Sequence, residues 1–211
     1  MHIWNVDETG LVIAKRGQHQ VGKITSGERS KTITAVCCYN AASVYLPPPM
    51  IFPRVNMNDQ LLKGAPQLTV GAASKSGWTD AAIFKRWFDH FVGVVKPPVE
   101  DPHLLLLDGH VSHKSLELIA LLSFPPRTTH VLQPLDAVFF EPLKTYYHQA
   151  CDSFMMRNLG KRITEYDVAT LFNTAYMSRP QQWINVFLGS NEVEFIHLTD
   201  TESVISDLHH L

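Results

Sequence analysis

The chain has 211 residues, 45% of them hydrophobic, enough to bury one sizeable core and too few for two large domains. A formal net charge of −2 excludes a surface that is basic throughout, so any contact with nucleic acid is local or helped by another module. Three cysteines, with Cys37 and Cys38 adjacent, make no disulfide framework and fit a reducing compartment, and neither a leader nor an apolar run of membrane-spanning length is present. A soluble intracellular chain is expected.

His2 to Val6 reads as a strand that opens almost at the first residue, which predicts that an N-terminal domain has been lost or was never there. Residues 19–24 and 31–39 predict two further strands, joined by the turn-rich stretch 25–30. Lys15, Arg16, Lys23, Arg29 and Lys31 make this quarter basic, as a solvated hairpin would be, whereas Glu192, Glu194, Asp200, Glu202 and Asp207 gather near the end. Pro47, Pro48 and Pro49 limit residues 44–52 to an edge or broken strand, and residues 53–77 show no sustained period. Thr79 is placed to cap a helix reaching about Val95, because Ile83, Phe84, Trp87, Phe88, Phe91, Val92 and Val95 recur at helical spacing. Pro97 and Pro98 end it, and His103 to Leu107 reads as a strand buried on both faces. A short helix over 114–120, a strand over 121–124, a helix over 138–158 and another from Thr164, with Asp167 as its capping-box partner, complete the series. This order predicts an α/β fold, an RNase H-like sheet of mixed direction flanked by helices, with parallel strands joined by helical crossovers.

Three aspartates carry the chemistry. Asp7 and Asp108 each follow a short apolar run of strand length, and Asp136 closes Leu132-Gln133-Pro134-Leu135-Asp136. A carboxylate at the end of a buried strand faces a crevice, and several such charges share a site at neutral pH only when a hard divalent cation neutralises them. Asp7 and Asp108 on neighbouring strands, completed by Asp136, suit two Mg²⁺ or Mn²⁺ ions about 3.5–4 Å apart, the arrangement of two-metal phosphoryl transfer. Asp136 equally suits the cap of the helix that follows. Glu8 falls on the opposite face of the strand from Asp7 and reads as structural. His110 and His113, three residues apart beside Asp108, admit a zinc site, but no third nitrogen or sulfur ligand has a convincing position. His130 and Gln133 are placed to orient the third acid or to contact substrate, and Arg127 and Lys144 to meet phosphates; solvated side chains are the plainer account of the last two. Neither Cys37 nor Cys38 has the setting of a reactive thiolate, and the two alternate across a strand, one inward and one outward.

The ordered motifs Asn5-Val6-Asp7-Glu8-Thr9-Gly10, Thr25-Ser26-Gly27-Glu28-Arg29, Pro47-Pro48, Ser76-Gly77-Trp78, Leu106-Leu107-Asp108-Gly109-His110 and Pro125-Pro126 through Asp136 resemble the DDE endonuclease domain of pogo/Tigger-type transposases, with their domesticated jerky-like and centromere-protein-B-like relatives. The resemblance covers about residues 1–171. It implies a metal-binding triad at Asp7, Asp108 and Asp136, DNA as partner, strand cleavage and transfer as reaction, and the nucleus as location. The expected division is an endonuclease domain over 1–175, N-terminally truncated, and a divergent tail over 176–211. Oligomeric state stays open, a homo-oligomer included. The stretch after Gly10 and the connection from Asp108 to Leu121 are shorter than in the family, the latter at the lower limit for a parallel crossover. The alternative to an endonuclease is therefore a catalytically inactive DNA- or chromatin-binding module.

Overall fold

The computed structural model of the protein describes residues 2–13, 31–40, 44–98, 103–107, 121–123 (backbone), 135 and 139–178. The expected strand over 19–24 and helix over 114–120 lie outside them, as do residues 179–211.

Among the described residues a seven-stranded sheet holds the fold together: β1 (His2–Val12), β2 (Thr32–Asn40), β3 (Tyr45–Leu46), β4 (Met50–Pro53), β5 (Gly71–Ser74), β6 (His103–Leu107) and β7 (Leu121–Ser123). Its order is β5-β4-β2-β1-β6-β7, with β3 on β2. Strands β1, β2 and β4 form an antiparallel meander, and β6 and then β7 add parallel to β1. This is the mixed, helix-flanked RNase H-like sheet that the sequence predicts. The short connection over 108–120 spans a parallel pairing after all, since Leu105 to Leu107 of β6 stand beside Leu121 to Ser123 of β7.

The period of two along β2 explains why its apolar run is unbroken. Ile33, Ala35, Cys37 and Tyr39 enter one core, Val36 and Cys38 the other, so both faces of the sheet are covered. Both cysteines are thus buried, one on each side, where one inward and one outward was expected. Burial, reinforced by neighbouring Cys37, holds the Cys38 thiol well above its ordinary pKa, which keeps it protonated and inert.

Helix α1 (Ala81–Val95) covers one face with Ile83, Phe84, Trp87 and Phe91, and the Phe91 ring meets Trp4 of β1 edge to face at 5.3 Å. Each large apolar side chain buried in this way contributes about 1.5–3 kcal/mol of transfer free energy. The cap is Asp80 and not Thr79: its Oδ1 accepts the Ile83 N–H at 2.8 Å, and its own backbone is extended. An aspartate and a threonine side by side give the same sequence signal, and the carboxylate takes the position one residue nearer the apolar stripe.

Helices α2 (Glu141–Arg157) and α3 (Val168–Met177) cover the other face. Pro142 falls in the first turn of α2, where its missing N–H costs nothing. Asp167 does reach back to Thr164, accepting its N–H at 2.8 Å and its hydroxyl at 2.7 Å, but the residues between form a turn and α3 starts only at Val168.

Three further expectations are corrected. Strand β1 does not stop at Val6; pairing with β2 continues to Val12 opposite Thr32, and Gly10 permits the approach because a Cβ there would meet the Thr32 methyl at 2.8 Å. The proline-interrupted strand is broken as expected, yet β4 lies inside the sheet between β2 and β5; Pro49 lacks an N–H, but its carbonyl accepts the Val36 N–H at 3.1 Å. Strand β5 was hidden because Gly71-Ala72-Ala73-Ser74 has poor strand propensity, and parallel pairing with β4 overrides it.

The turn from β5 to α1 requires glycine at position 77, whose φ is +77° and whose Cβ would lie 2.9 Å from the Thr32 carbonyl oxygen. The Gly77 carbonyl also accepts the Thr34 hydroxyl at 2.7 Å. Gly77→Ala is expected to destabilise the fold by about 1–3 kcal/mol, combining left-handed strain with a backbone clash. Urea denaturation checks this; an unchanged midpoint would mean that the turn relaxes without cost.

Candidate functional site

Asp7 is half-buried in the middle of β1. Its register partner on β2 is Cys37, whose side chain belongs to the core beneath α2 and α3, and Asn5 and Thr9 share its parity along the strand. Glu8 pairs instead with Val36, on the α1 side, so the two neighbouring acids take opposite faces as the sequence predicts. The Asp7 Oδ1 accepts the Glu8 N–H at 2.7 Å, which fixes the direction of the carboxylate.

Pairing with β6 makes this part of β1 distinctive. The pairs run from His2–His103 to Asn5–Leu106, whereas β1 continues to Val12. Asp7 therefore lies two residues beyond the last described pair, on the stretch of β1 that follows Asn5. Asn5 is almost wholly buried at this point. Its Nδ2 donates to the Leu106 carbonyl at 3.4 Å, and its Oδ1 accepts the Leu135 N–H at 3.3 Å. Leu135 is buried in the α2/α3-side core.

Asp108 and Asp136 lie outside the described residues, as do His110, His113, Arg127, His130 and Gln133. Their sequence neighbours do not: Leu107 is the last described residue of β6, and Leu135 bonds to Asn5. No cluster of three or more His, Cys, Asp or Glu side chains able to hold a metal occurs among the described residues. Lys144 is exposed, with its Nζ 5.9 Å from the centroid of the Phe140 ring. Of the basic N-terminal quarter, the described Lys31 approaches Glu165 at 3.7 Å, and Glu165 also meets Arg54 at 3.4 Å. Both pairs converge on Glu165, whose side chain is only 16% exposed. Sequence reasoning quoted Asn5 only as part of a motif and gave it no role; a polar residue at a fully buried strand position was the available signal.

A mixed sheet of this order, covered by helices on both faces, defines an RNase H-like α/β domain. The family described as DDE superfamily endonuclease matches residues 29–179, and the chain belongs to that family. The matched range includes Asp108 and Asp136 and begins after Asp7. A protein of Cochliobolus lunatus named MFS-type transporter clz9 is 28% identical over an alignment of 193 residues that covers 82% of this chain and 21% of that relative. Two solved structures, the Mos1 transposase paired-end complex with left transposon end and the Mos1 mariner paired-end complex with Mn, align with a TM-score of 0.42 at 12% and 13% identity. Each alignment covers 89% of this chain and 55% of the other. The chain thus spans about a fifth of the fungal relative and about half of the transposase chains. No helix among the described residues is long and apolar enough to cross a membrane.

Proposed function

We propose that the chain is a transposase-derived protein of the pogo/Tigger type, acting on DNA in the nucleus, in which Asp7, Asp108 and Asp136 hold two Mg²⁺ or Mn²⁺ ions for strand cleavage and transfer. Residues 1–175 would form the endonuclease domain and 176–211 a divergent tail. The β1–β6 register carries this reading. Paired residues are 101 positions apart, from His2–His103 to Asn5–Leu106, and the same register, if continued by two residues, would bring position 108 beside Asp7. Neighbouring strands are about 4.8 Å apart, which suits carboxylates that share a metal. The Leu135 N–H on Asn5 supports a third acid at the next position.

The donor chemistry fits a hard cation. Asp7 offers carboxylate oxygen on a partly buried residue, and the Thr9 hydroxyl, of the same parity on β1, is buried without a hydrogen-bond partner among the described residues. Bound there, the ions would supply Lewis acidity to the attacking water or 3′-hydroxyl and to the departing oxygen. The protein's own part is to hold its acids still. Strands on both sides of β1 fix the backbone near Asp7, and the Glu8 N–H orients its carboxylate.

A second reading, a DNA- or chromatin-binding module that keeps the scaffold without cleaving, is favoured by the family match beginning after Asp7 and by the short connection over 108–120. Nicking of supercoiled plasmid in Mg²⁺ separates the two. The endonuclease reading expects cleavage by the wild-type chain and none by Asp108→Asn, with equal thermal melts. Cleavage unchanged in Asp108→Asn would refute the assigned acids, and a folded wild-type chain that never cleaves would favour the inactive module.

A further inference from the structure

We infer that Asn5 is a positioning residue of the acidic site, tying together the three chain segments that carry Asp7, Asp108 and Asp136. The inference rests on the reading of those aspartates as one metal-binding set. A primary amide has both a donor and an acceptor end, and Asn5 spends each on a different segment. The donor end reaches the Leu106 carbonyl on β6, 101 residues away, and the acceptor end takes the Leu135 N–H, 130 residues away. In sequence, Asn5 is two residues from Asp7, Leu106 is two from Asp108, and Leu135 is next to Asp136. One side chain is therefore bonded within two residues of every proposed ligand.

At 3.4 and 3.3 Å both bonds are long, and an apolar residue would fill a site only 2% exposed at less desolvation cost. What an apolar residue lacks is direction. Only a bifunctional polar side chain fixes where the segment before Asp136 sits along the end of β6, so the amide sets register more than it adds stability. Groups that orient ligands in this way typically cost roughly 10- to 100-fold in metal affinity when removed.

The test uses Mn²⁺ alone as probe on the full chain. Wild type, Asn5→Leu and the milder Asn5→Ser, too short to span both partners, are titrated by calorimetry below their melting temperatures. Hydrogen exchange of the Leu135 amide is followed in each, and Gly77→Ala serves as a destabilised control at a turn that bonds neither Asn5 nor Leu135. The expected result is roughly 10- to 100-fold weaker Mn²⁺ binding and faster Leu135 exchange in the folded Asn5 variants, with affinity retained in Gly77→Ala. Wild-type affinity in either folded Asn5 variant, or an equal loss in Gly77→Ala, would overturn the positioning role while leaving the metal site standing. A folded wild-type chain that binds no Mn²⁺ would overturn the metal reading itself and the positioning role with it.

Discussion

Asp7→Asn is expected to weaken Mn²⁺ binding by at least about 100-fold, exceeding the usual cost of removing a group that only orients a ligand. The amide keeps the shape of the side chain and an oxygen able to accept the Glu8 N–H, now at 2.7 Å, so β1 should be undisturbed. What disappears is the negative charge. Without metal, clustered carboxylates repel one another, so the variant in chelator should melt at the wild-type temperature or slightly above it. With Mn²⁺ at about 100 times its Kd, linkage should raise wild-type stability by about 2.7 kcal/mol and that of the variant by no more than about 0.4 kcal/mol. Melts with and without Mn²⁺ check both halves. Equal stabilisation of the two proteins would place the cation elsewhere.

Phe172→Ala is expected to cost about 3–5 kcal/mol, the usual range for removing a buried aromatic ring, against a total stability of about 5–15 kcal/mol for a domain. Phe172 is completely buried and stacks on Tyr176 with ring centroids 5.3 Å apart. The cavity has little means of closing, because α3 is held towards both ends. The Thr170 hydroxyl donates to the Lys63 carbonyl at 2.9 Å, and the Tyr176 hydroxyl donates to the Leu46 carbonyl at 3.3 Å. The consequence extends to the acidic site, since α3 and α2 cover the sheet face that Asn5 and Leu135 share. Met177→Ala, one residue beyond Tyr176 but 66% exposed, should stay within about 0.5 kcal/mol of wild type. Chemical denaturation of the pair reads the difference, and a cost below about 1 kcal/mol for Phe172→Ala would mean that α3 is not packed as described.

The elements legible in the sequence were those whose side chains repeat a period. Helix α1 shows its stripe from Ile83 to Phe91, and β6 its run of leucines, because burial on one helix face or on both strand faces writes directly into residue type. Strand β5 was illegible for the converse reason: glycine, alanine and serine carry no pattern, and only the neighbouring β4 makes them a strand. The extent of β1 was hidden too, since Asp7-Glu8-Thr9-Gly10 carries no apolar pattern and only pairing with β2 shows the strand continuing through it. At the acidic site, Asp7 and its face could be read from the alternation along the strand. The role inferred for Asn5 could not, because its two partners are more than 100 residues away in sequence and nothing local announces them.

Calorimetric titration of Mn²⁺ into the wild-type chain and into the Asp7→Asn/Asp108→Asn double variant, each shown by its melt to be folded, decides whether these aspartates form a metal site. The account predicts saturable binding to the wild type that is lost in the double variant with no loss of cooperative unfolding. Binding of equal strength in both, or none to a folded wild-type chain, would contradict it.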